Sequence, residues 1–184
     1  MGNLKSKLGK SKSREKKIES ALPESSSAKK TVDPRLPFTN YRQVFSVRNA
    51  WKAVARTMEE TSKENLIRFF EKYPDYKSSF SELADLSTEV DMHNSVDFEI
   101  VALEIFQLFD DVIDNLENVD AGLVALQKAT KSTRFTTSML KDMKPTFMNS
   151  LRNLLGERMT EATEQNYSLL YDFVQTELEI KPQS

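Results

Sequence analysis

Three stretches of this chain hold residue types at spacings that chemistry could use. The first is the opening, "MGNLKSK". Once Met1 is removed, Gly2 becomes the amino terminus, and Ser6 stands at the hydroxyl position of the M-G-x-x-x-[ST] pattern for N-myristoylation. The second is the acidic run "DDVIDNLENVDAG", which invites a calcium loop. With Gly122 at the turn position, Val119 falls where an oxygen ligand is required, so the EF-hand pattern fails. The third is His93, the single histidine of the chain. There are no cysteines, which removes disulfides, thiolate metal sites and cysteine nucleophiles together. No glycine-rich phosphate loop, HExxH run or paired-carboxylate motif occurs, and the chain reads as a non-enzyme with no metal site of its own.

The opening gains meaning from the basic residues behind it. Lys5, Lys7, Lys10, Lys12, Arg14, Lys16 and Lys17 stand against Glu15 alone, so a net charge of −2 conceals a basic arm on an acidic body. An acidic body argues against nucleic acid as a partner. A single myristoyl chain binds a bilayer only marginally, with K about 10⁴ M⁻¹, and needs a second signal. Basic residues near an anionic leaflet contribute about 1 kcal/mol each. Gly2 as the lipidation site and the seven basic residues as the membrane-binding set therefore form a coherent pair. Phosphorylation of Ser6, Ser11 or Ser13 would subtract charge and release such an anchor. The expected location is the cytoplasmic face of a membrane, foremost the plasma membrane. No apolar run is long enough to span a bilayer, and the start lacks the apolar core of a secretory signal.

Behind the arm lie the elements that must position any site. Residues 1–40 are rich in Ser, Lys and Glu and punctuated by "DPRLPF", a composition that predicts a disordered tail. From about Phe45 the apolar residues recur every three or four positions, the helical period. Phe45, Val47, Trp51, Val54 and Met58 fall near one helical face. "KENLIRFFEKY" predicts a second helix ending before Pro74, since the residue before proline disfavours helix. Asn94 is a candidate N-cap for a long helix carrying Phe98 to Leu116. Further helices are expected around "AGLVALQKATK", from Met139 to Leu155 with Pro145 interrupting the first half, and from Thr160 to Leu178. The fold class is all-α, with a domain at 41–180 and a short C-terminal tail at 181–184.

Trp51, Pro74 opening "PDYKSSF", Phe80, and Val101 on the helix starting at Ser95 form a spaced set. With the closing "LLGERMTEATEQNYSLLYDFV", the block from 42 to 178 resembles the globin family. The resemblance implies helices A to H crossing steeply around a haem pocket, with the iron on a proximal histidine. In that register Phe80, Val101, Ile105 and Phe106 line the pocket, and Val101 takes the distal-ligand position. The proximal position falls at Thr130 counting back from the last helix, or at Thr133 if Pro145 matches a proline common early in globin G helices. Haem is thus implied by the resemblance, while no histidine occupies either axial position. His93 reads as a capped or solvated loop residue. Lys128 and Lys131 read as a solvated face, and Met139, whose thioether can ligate haem, as core filling.

These readings converge on a membrane-tethered globin-family protein that senses, signals or scaffolds through a protein partner and lacks conventional haem ligation. Two alternatives stand beside it. One is a haem globin for oxygen binding or redox sensing with an unusual axial ligand. The other is a carrier of an apolar molecule such as a fatty acid.

Overall fold

A computed structural model describes residues 30–179; Gly2, the basic arm and the C-terminal tail lie outside that range. Helix α1 (Tyr41–Arg56) starts where the side chain of Asn40 accepts the Gln43 amide. Its inner stripe is Val44, Val47, Trp51 and Val54. Phe45, which the sequence period groups with that stripe, is 58% exposed. Val44 completes the i, i+3, i+7 spacing, and its neighbour is turned about 100° away.

Thr57 breaks the chain between α1 and α2 (Met58–Lys72). Two 3₁₀ turns come next, Pro74–Ser79 and Ser81–Leu83, with Phe80 between them. A short α3 (Glu89–Asn94) is fixed by a reciprocal capping box between Thr88 and Asp91. The cap of α4 (Val96–Asp114) is Ser95, whose hydroxyl accepts the Phe98 amide at 3.2 Å, and not Asn94, which ends α3. The polar "STEVDMHN" therefore carries a helix of its own. Then come α5 (Val119–Ser132), α6 (Thr137–Leu155) and α7 (Glu161–Glu179). Gly156 turns the chain between α6 and α7 at φ 53°, in the left-handed region that favours glycine.

Pro145 lies inside α6 without ending it. It deprives the Lys141 carbonyl of its amide partner. One residue earlier, the buried Tyr171 hydroxyl on α7 donates to the Leu140 carbonyl at 2.8 Å and ties the helix beside its weak point.

Helix α4 is central, packing on α2, α5 and α1, while α6 lies against α2 and α7. Ser62 on α2 and Ala102 on α4, both buried, suit a close crossing of those two helices. Trp51 joins four helices. Its ring lies 6.1–6.4 Å from Phe106 and Phe109 on α4, Phe147 on α6 and Tyr167 on α7. Its Nε1 donates to Asp110 at 2.7 Å. Such offset ring pairs contribute about 0.5–1.5 kcal/mol each beyond their buried area.

Residues 30–40 differ from the composition-based tail to which they belong in sequence. Leu36 and Phe38 are buried, and the segment is strapped to the corner between α4 and α5. Glu117 there accepts from Tyr41, from Lys30 at 3.1 Å and from Arg48 at 2.9 Å. Arg35 pairs with Asp33 at 2.8 Å and Asp120 at 2.7 Å. Composition averages over the run and hides the two apolar anchors that fasten it.

The strap sets an acid limit. The Arg35 guanidinium and amide hold Asp33 at about 2 against an ordinary 3.8. A depressed carboxyl stabilises the fold fully above its ordinary value and loses that contribution as the pH falls towards the depressed one. The Arg35 amide, which donates to Asp33 at 2.9 Å, should therefore titrate in its NMR proton shift with a midpoint near 2. A midpoint at the ordinary 3.8 would mean that the Asp33–Arg35 pair does not hold in solution.

Candidate functional site

The family's site lies along the inner face of α4, opposite α5. Phe98, Val101, Ala102, Ile105, Phe106 and Phe109 recur at helical spacing and are all buried. Phe80 is delivered to that face by the two 3₁₀ turns. Its ring lies 5.7 Å from Phe70 and 5.2 Å from Phe135, which belongs to the linker between α5 and α6.

The residues that the resemblance assigns to the axial positions are Val101 and Thr130, or Thr133 in the other register. Val101 is 0% exposed on α4. Thr130 is half-buried in the last turn of α5, and its hydroxyl donates back to the Leu126 carbonyl at 2.8 Å. Thr133 closes α5, and its oxygen accepts the Phe135 amide at 3.2 Å. Both threonines thus spend their hydroxyls on local backbone. Met139 is buried on α6.

His93 is on α3, not in a loop. Its ring is 41% exposed and stands 3.7 Å from Glu89 one turn back. Its carbonyl accepts from the buried Lys63 ammonium at 3.4 Å. Lys63 in turn pairs with Glu99 at 2.7 Å and Glu59 at 2.9 Å. Glu99 foremost raises the Lys63 pKa against the opposing effect of burial. This cluster clasps α3 between α2 and α4 and leaves the imidazole facing solvent.

Space decides whether a porphyrin fits. A haem-sized opening would leave its walls accessible to a water-sized sphere. Phe80 is 1% exposed, Val101 0%, Ile105 2% and Phe106 0%. None of the described clefts is lined by Phe80, Val101, Ile105 or Thr130, while Thr133, the alternative proximal position, lines one of them. A cleft of about 560 Å³ lies under the strap between Asp33, Tyr41 and Glu117. Another, about 470 Å³, runs along the outside of α4 and α5 past Glu104 and Lys128. As packed, these side chains do not accommodate a porphyrin.

The linker is held in place by Arg134, a residue that the sequence does not single out. Its amide donates to Glu104 Oε1 at 2.9 Å, and Nε and Nη2 both reach Oε2 at 3.2 Å. Nη1 pairs with Glu82 from the second 3₁₀ turn. The guanidinium lies 5.7 Å from the Phe80 ring centre. The one available signal was Phe135, the only large apolar residue in "KSTRFTTS".

Seven α-helices among the described residues, one of them central, with an aromatic core closed by a phenylalanine between two 3₁₀ turns, define an all-α protein. It belongs to the globin family: the family's model, described as Globin, matches residues 63–178. Among solved structures it is similar to a hexacoordinated haem protein from an anhydrobiotic tardigrade, determined at pH 4. The two are 27% identical, with a TM-score of 0.71 over 79% of this chain and 96% of the other. A search of curated protein sequences gave no match. The family and this neighbour imply haem as the group that such a site holds.

Truncation separates packing from ligand chemistry here. Phe135→Ala should cost about 3–5 kcal/mol in denaturant unfolding, as expected for an emptied aromatic site. Thr130→Val should change stability by less than about 1 kcal/mol, because only a local back-bond is lost.

Proposed function

We propose that this globin works as a membrane-tethered signalling or scaffold protein and does not carry oxygen. The observation behind this reading is the site itself. The resemblance assigns Val101 and Thr130 (or Thr133) to the axial positions, and the rings of Phe80 and Phe135 meet at 5.2 Å. Oxygen chemistry in this family runs through iron on a protein ligand, and these side chains offer none. The myristoylation pattern at Gly2 and the basic residues behind it support a membrane anchor, since an acyl chain and a polybasic segment together supply the two signals that anchoring needs.

Family membership and likeness to a haem protein favour a second reading, a haem globin with an unusual axial ligand. Met139 has the donor chemistry for it. Titrating the purified full chain with hemin separates the two. The first reading expects a weak, non-saturating change near the Soret band. A sharp band saturating at one haem per chain overturns it, and loss of that band in Met139→Leu would identify the ligand.

The anchor has its own test. In cells, Gly2→Ala should move the protein from membrane to soluble fractions. Retention of the variant on membranes would remove the lipid from the account.

A further inference from the structure

We propose that the site walled by Phe80, Glu82 and Glu104 is a receptor for a cationic–aromatic peptide segment of a partner protein, and that the chain's own Arg134–Phe135 pair occupies it at rest. The inference rests on the reading that this chain works through a partner and not through haem.

Three contacts define what the site recognises. A cation lies over the Phe80 ring and is shared between two carboxylates, Glu82 and Glu104. An aromatic ring meets Phe80 at 5.2 Å. A backbone amide is accepted by Glu104 Oε1 at 2.9 Å. All three come from two consecutive residues, so a short peptide of the same type can present them in the same order.

Charge selects the class of occupant. With Arg134 withdrawn, Glu82 and Glu104 stand as two unneutralised carboxylates at the mouth of an apolar site. An Arg or Lys side chain restores the balance, and the face of Phe80 adds a cation–π contact. An anionic amphiphile, such as a fatty acid or a porphyrin with its propionates, would bring a third negative group to the same place. The carboxylates thus discriminate against the ligands that the apolar walls alone would accept.

The linker runs between two helix ends that carry their own caps. Thr133 closes α5, and Thr136 caps α6 by accepting the Met139 amide at 3.2 Å. Arg134 and Phe135 alone cross between those two caps. The Arg134 side chain is 39% exposed, so an incoming cation meets it at the surface before Phe135 is displaced. Because the resident segment is tethered, it competes at high effective concentration, and an outside peptide binds the native chain weakly.

The test uses the full chain carrying Arg134→Ala and Phe135→Ala together, titrated calorimetrically with acetyl-Thr-Arg-Phe-Thr-amide. The expected result is saturable binding at one peptide per chain, at least about ten-fold tighter than to the native protein. The control acetyl-Thr-Glu-Phe-Thr-amide should not bind. A variant with native helical circular dichroism that binds neither peptide, or both alike, overturns the inference. Should that variant not fold, Arg134→Ala alone is titrated with the same two peptides, and failure of the Arg peptide to bind more tightly than the Glu peptide overturns the inference as well. A null peptide result without a hemin band sinks this inference alone, whereas a stoichiometric hemin band sinks both it and the reading beneath it.

Discussion

The structure depends on a core that aromatic rings complete without help. Trp51 gathers α1, α4, α6 and α7 around one indole, and its single polar atom is satisfied by Asp110. Around it Phe109, Phe147 and Tyr171 pack on one another with ring centres 4.6–5.2 Å apart. A second chain of rings, Phe98, Phe70, Phe80 and Phe135, fastens α2 and the two 3₁₀ turns to α4 and to the linker before α6. A bound group that fills a core adds its binding energy to folding. On the proposed reading side chains take that place, with Phe80 and Phe135 in ring contact at 5.2 Å.

This division of labour links fold to function. The first ring cluster sets the helical frame. The second closes the family's site and places a salt-bridged arginine at its edge. The same frame holds the strap before α1, at Lys30, to the corner between α4 and α5.

Much of the frame was legible in the sequence because it rests on period and landmarks. The stripe Val47, Trp51, Val54 and the run from Phe98 to Ile113 obey a spacing that only a helix buries. Pro74 and Phe80 kept their interval across the 3₁₀ turns. What stayed hidden was decided by pairs distant in sequence or by one-residue choices. Phe45 and Val44 are both apolar, and only packing tells which one turns inward. Asn94 and Ser95 are both good caps, and the choice went to the residue that leaves α3 its final turn. Leu36 and Phe38 sit in a polar run whose average hides them. Arg134, Glu82 and Glu104 are ordinary surface charges until the fold brings the three together.

The central claim is that this globin closes its ligand site with its own rings. Nuclear Overhauser spectroscopy on the protein as purified, with no haem added, measures that directly. A site closed in this way predicts ring-to-ring cross peaks between Phe80 and Phe135, whose centres lie 5.2 Å apart. The absence of those cross peaks, together with a porphyrin retained through purification, would contradict it.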